Sequence, residues 1–120
     1  DSAKSNLSSA GQMGIDFLAG SFETLATGGQ ITAAQSALLW TEGAAGDITL
    51  GATATSTHGH LTIKSADDVF INANAMVTNA TPGDVGTLDI EAGTGYVTML
   101  GTTTVKATGS SMRIHAAKDS

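Results

Sequence analysis

The stretch Leu61-Thr62-Ile63-Lys64-Ser65-Ala66-Asp67-Asp68-Val69-Phe70-Ile71-Asn72 decides the reading of the whole chain. Leu61 and Ile63, then Val69 and Ile71, are apolar at a spacing of two, the period of a strand whose alternate side chains face opposite ways. Thr62 and Lys64 take the other parity, so one face is buried and the other wetted. Eight residues separate Ile63 from Ile71, and a corner of small and acidic residues, Ser65–Asp68, lies between.

The same unit recurs in both directions. Ile15/Phe17, Ile48/Leu50, Leu88/Ile90, Val97/Met99 and Met112/Ile114 are further apolar pairs, with Val105 alone, and Ile90 lies nine residues from Met99. Asp47 and Thr49, Asp89 and Glu91, and Arg113 and His115 alternate with the aliphatics. Hairpin turns favour Asn-Gly, Asp-Gly or Gly-Gly; here only Gly28-Gly29 has that form, and Pro82-Gly83-Asp84 belongs to a longer turn. Corners such as Gly109-Ser110-Ser111 suit a chain that keeps winding one way, each strand stacking on its equivalent a turn later. The pattern predicts an all-β chain, a β-helix (β-solenoid), over residues 13–120. Residues 1–12, DSAKSNLSSAGQ, read as a linker or frayed N-terminal end. Ile31–Glu42, ITAAQSALLWTE, is Ala-rich and ends before Gly43, which admits a short helix; the flanking units favour strand.

Composition narrows the function. Hydrophobic residues make up 41% and charged residues 13%, which opposes both a disordered chain and a coiled coil. The formal charge is −6, and the bases Lys4, Lys64, Lys106, Arg113 and Lys118 are scattered along the sequence, which disfavours nucleic acid. No run approaches the ~20 apolar residues of a membrane helix. Without cysteine there is neither a disulfide nor a thiolate metal site. The chain begins without Met and reads as a piece of something larger.

Asp47-Ile48-Thr49-Leu50, Leu61-Thr62-Ile63-Lys64, Val69-Phe70-Ile71-Asn72 and Leu88-Asp89-Ile90-Glu91 carry a family resemblance. Over roughly residues 45–117, and more loosely 14–44, the chain resembles the β-helical spikes of contractile injection systems, the phage central tail spikes and the VgrG-like proteins. The resemblance implies an intertwined triple-stranded parallel homotrimer at the virion tail tip or baseplate. It further implies a cell-puncturing structural part, joined to other baseplate or tail proteins and pressed mechanically into the host envelope. Such a part has no enzymatic activity, nucleic acid or small-molecule substrate. Filamentous-haemagglutinin-type adhesins share the strand pattern, and they supply the alternative: a single-chain β-solenoid segment of a secreted or cell-surface adhesin. Many spikes of the first kind carry a His-x-His motif that binds one iron across three chains. His58-Gly59-His60 matches it, which implies one iron or other transition-metal ion per trimer.

The residues themselves leave that pair open. Side chains at i and i+2 of an extended chain point the same way, and imidazole suits iron, zinc or nickel. One chain offers only two such ligands; a threefold axis offers six. Yet His58 and His60 have the parity opposite to Leu61 and Ile63, so an unbroken strand turns both rings outward. A bend at Gly59, or between His60 and Leu61, would be needed to turn them in. His115, beside Arg113, reads as solvated. No Gly-x-Ser-x-Gly elbow marks a hydrolase. Gly93-Thr94-Gly95 lacks the Lys and the helix of a phosphate loop. Asp67-Asp68 reads as a corner whose carboxylates cap backbone amides.

Overall fold

Strands of three to five residues with one apolar face bury nothing alone, so each must be covered by a neighbour. In the computed structural model, which describes residues 6–118, that cover comes from the next turn of the same chain. The strands are β1 (Leu7–Ser9), β2 (Met13–Phe17), β3 (Phe22–Thr24), β4 (Ile31–Ala33), β5 (Ala37–Thr41), β6 (Ile48–Leu50) and β7 (Ala54–Ser56). They continue as β8 (Leu61–Ser65), β9 (Val69–Ile71), β10 (Ala75–Val77), β11 (Leu88–Ala92), β12 (Val97–Met99), β13 (Val105–Ala107) and β14 (Met112–Ala116). Among the described residues there is no helix.

Three parallel sheets form the sides of a prism, in the orders β1-β4-β7-β10-β13, β2-β5-β8-β11-β14 and β3-β6-β9-β12. Each of the first four turns gives one strand to each sheet and a fifth gives one to the first and second, so the chain is an all-β solenoid of about five turns, as the alternation predicted. Register holds throughout: Met13, Ala37, Leu61, Leu88 and Met112 form one column, and Ile15, Leu39, Ile63, Ile90 and Ile114 the next. Ile48, Val69, Leu50 and Ile71 line the third sheet. One chain therefore supplies all three faces, and its own side chains fill the axis.

The segment 31–42 is strand, β4 and β5 bent at 34–36, with Ile31, Ala33, Ala37, Leu39 and Thr41 all buried. The first sheet is the small-residue wall: Ala33, Ala54 and Ala75 lie in its buried face, beside Ile31 and Val77. β1 falls within the 1–12 stretch read as a linker and pairs with β4, Leu7 beside Ile31. Residues 1–5 of that stretch lie outside the described residues. Buried hydroxyls are all satisfied: Thr41 Oγ1 and Ser65 Oγ both donate to the Gly46 carbonyl, at 2.9 and 2.8 Å.

Candidate functional site

The residue just before each strand carries a device that all three sheets share. Its backbone carbonyl accepts from the strand of the previous turn, as Thr87 O does from Leu61 N at 2.9 Å. Its N–H points at the corner below, where no strand carbonyl faces it, and an amide left unpaired there would cost stability. At seven of these positions, spread over all three sheets, a side chain of the turn below fills the gap. Beside the second sheet, Ser36 Oγ accepts from His60 N–H at 3.0 Å, and His60 Nδ1 accepts from Thr87 N–H at 2.9 Å. Beside the third, Ser21 Oγ accepts from Asp47 N–H (3.0 Å), Asp47 Oδ1 from Asp68 N–H (3.0 Å) and Asp68 Oδ1 from Tyr96 N–H (2.7 Å). Beside the first, Asn6 Oδ1 accepts from Gln30 N–H and Asn74 Oδ1 from Thr104 N–H.

These ladders place His60. Its Nδ1 accepts from the Thr87 amide and lies 2.9 Å from Thr87 Oγ1, and the ring faces an open groove of about 420 Å³ that Gln12, Ser36, Leu38 and Thr62 also line. His58 lies at the same corner with a different partner: Nδ1 is 2.9 Å from Asp84 Oδ2 and 3.3 Å from Thr81 Oγ1. Neither imidazole is in the core. An ion shared by three chains would need an axis lined by imidazoles. The axis of this prism is filled by Leu39, Leu61, Ile63 and their column neighbours. Within one chain both rings therefore stand outside the filled axis, as their parity opposite to Leu61 and Ile63 implies.

Asp84 belongs to the chain's long excursion, residues 78–87 between β10 and β11. Asn79, at φ 45°, ties it down: its Nδ2 donates to Gly86 O and to Thr108 O of the next turn, while its Oδ1 accepts from Gly86 N–H. The Thr81 amide, and then the His58 ring, hold the Asp84 carboxyl below the usual carboxylate range. Thr81, His58 and Asp84 do not make a nucleophile–base–acid relay, which uses both ring nitrogens; here hydroxyl and carboxylate meet the same Nδ1.

Asp47, Asp67 and Asp68 bring carboxylate oxygens within 4.8 Å of one another. Two of the three are the ladder acceptors above, and Asp67 Oδ1 accepts from Thr94 Oγ1 at 3.0 Å. Asp68 caps a backbone amide, that of Tyr96, as the Asp67-Asp68 reading expected, whereas Asp67 accepts from a hydroxyl instead. The corner also settles against Gly95, leaving Gly93-Thr94-Gly95 facing carboxylates, the wrong charge for a phosphate. The sequence did hold a signal for the ladders: an acceptor side chain directly before the strand, as in Ser36-Ala37, Asp47-Ile48, His60-Leu61, Asp68-Val69 and Asn74-Ala75.

Comparison with protein-family models, with curated proteins and with solved structures finds nothing that matches the chain. What the fold and its corners define is a class of architecture, a three-sided parallel β-solenoid wound from one chain. Its corners carry side-chain-to-backbone ladders, and one pinned excursion stands out from them.

Proposed function

We propose that the chain is a structural segment of a secreted or cell-surface adhesin, a stiff single-chain β-solenoid that holds its outer faces and the 78–87 excursion away from an anchoring surface. The reading assigns it no catalytic step. The observation that supports it is the closure of the axis by one chain: Leu39, Leu50, Leu61, Ile63, Ile71 and Ile90 are each 0% exposed with no partner present. An intertwined spike needs three chains to close the same axis, so this core favours the adhesin over the cell-puncturing trimer. Stiffness follows from the architecture, since each backbone ladder runs along the fibre and seven of the amides that precede a strand are tied to the turn below.

Mass in dilute solution tests the choice. A single chain sediments at 12.0 kDa. A stable species of three such chains, about 36 kDa, would overturn the adhesin segment and restore the trimeric spike with its tail and baseplate partners.

A further inference from the structure

We propose that the groove on the outer face of β2, β5 and β8 binds an uncharged, extended polysaccharide that lies along the fibre. Its adhesive role rests on the adhesin reading, since a stiff segment that meets a surface needs a flank able to hold one. The groove lies on the side of the prism and measures about 420 Å³, within the range of ligand sites. One wall is the column of residues that precede the strands, Gln12, Ser36 and His60, and the floor is the outward column Gly14, Leu38 and Thr62. Gly14 deepens the floor: it has no side chain, and a Cβ built there would meet nothing within 4 Å. Both columns continue up the sheet, Thr87 over His60 and Asp89 over Thr62, where they line a smaller cavity of about 210 Å³.

The chemistry of the lining selects the occupant. Among the described residues, no carboxylate, ammonium or guanidinium lines the larger groove, and the Asp89 and Arg113 that line the smaller one pair with each other at 2.9 Å. A charged polymer finds no complement there. A peptide added as a strand needs an unpaired sheet edge, whereas this groove lies on the face of a paired sheet. Its apolar part, Met13 and Leu38, is too small for an acyl chain. What remains is an apolar patch bordered by the Gln12 amide, the Ser36 and Thr62 hydroxyls and the His60 ring, the complement of a sugar's C–H face and hydroxyl edge. Ser36 Oγ accepts from His60 N–H with one lone pair and keeps its proton for a ligand. The repeat agrees as well. Equivalent positions recur at every turn, roughly 4.8 Å apart, close to the length of one sugar unit in an extended chain.

Titration of the full chain with cellohexaose, chitohexaose, maltohexaose and a heparin oligosaccharide tests this, read by calorimetry and by fluorescence. Trp40, the sole tryptophan, stands two residues from Leu38 in β5 and reports on the groove. Saturable binding of at least one neutral chain is expected, with none of heparin. Gly14→Thr fills the floor without a clash, so with its β-type circular dichroism intact it should weaken that binding about tenfold or more. Leu38→Ala, which strips the apolar patch, should weaken it by a similar factor, and Thr32→Ala on the outer face of β4 should leave it unchanged. The proposal is overturned if no neutral chain binds at millimolar concentration, if heparin alone binds, or if binding survives both groove variants. Sedimentation of the same samples keeps two failures apart. A 12.0 kDa chain that binds no glycan overturns the groove and leaves the adhesin segment in place. A species of three such chains overturns the adhesin reading and, with it, the adhesive role of the groove.

Discussion

Ile63 and Ile114 occupy the same column of the same sheet, three and five turns along, and differ only in what lies above them. Ile63 in β8 is 0% exposed and Ile114 in β14 is 43% exposed. The same contrast separates Leu88, at 1%, from Met112, at 48%. Parity decides which way a side chain points, but in a solenoid burial comes from the neighbouring turn. A middle turn is covered on both sides, while a terminal turn has the same pattern and only half the cover.

That contrast can be broken by substitution, and the core gives the largest effect. Ile63→Ala removes buried methyl groups from a packed axis and should cost about 2–5 kcal/mol, read as a fall in the midpoint of urea denaturation. Ile114→Ala removes the same atoms from a half-open site and should cost under about 1 kcal/mol, closer to a surface change. Equal losses would mean that the last turn is covered in solution, which dilution of the sample would then reverse.

Glycines sharpen the comparison at the next level down. A Cβ on Gly86, in the middle of the stack, would fall on the carbonyl oxygen of Gly59 one turn below. A Cβ on Gly101, in the last turn, would meet nothing within 4 Å. Gly86→Ala should force the two turns apart at a cost of about 1–3 kcal/mol, and it should lower the thermal midpoint. Gly101→Ala should leave it unchanged, and a drop there comparable to that of Gly86→Ala would show that the ends are packed as tightly as the middle.

Much of this was legible from residue types because aliphatics at a spacing of two mark their own strands: every pair from Ile48/Leu50 to Met112/Ile114 became one. The strands that escaped, β7 and β10 among them, put Ala54 and Ala75 inward, and alanine carries too little apolar signal to mark a face. Which strand covers which face was not legible, since parity says that a face is covered and is silent on what covers it. His60 shows a second limit. Its type suggested a ligand, whereas its position before Leu61 makes it the counterpart of Ser36, an acceptor for the amide above.

The ladders give the smallest and most selective test. Asp68→Ala removes the acceptor for Tyr96 N–H, a bond of 2.7 Å on an exposed corner, so water takes part of its place and the loss should sit near 0.5–1 kcal/mol. It also removes one of three carboxylates that lie within 4.8 Å of one another, and that relief of like charges works in the opposite direction. Asp68→Asn separates the two effects, because it keeps a carbonyl acceptor while losing the charge. The asparagine variant should therefore be at least as stable as the native chain, and the alanine variant should fall below the asparagine one by the worth of the bond. Amide exchange at Tyr96 should rise in the alanine variant only. Ser111→Ala, at the same kind of position with no turn above it, should change neither quantity. If Asp68→Ala and Asp68→Asn proved equally stable, with Tyr96 equally protected, the corner amides would not be held by side chains, and stacking of the strands alone would have to account for the order of the middle turns.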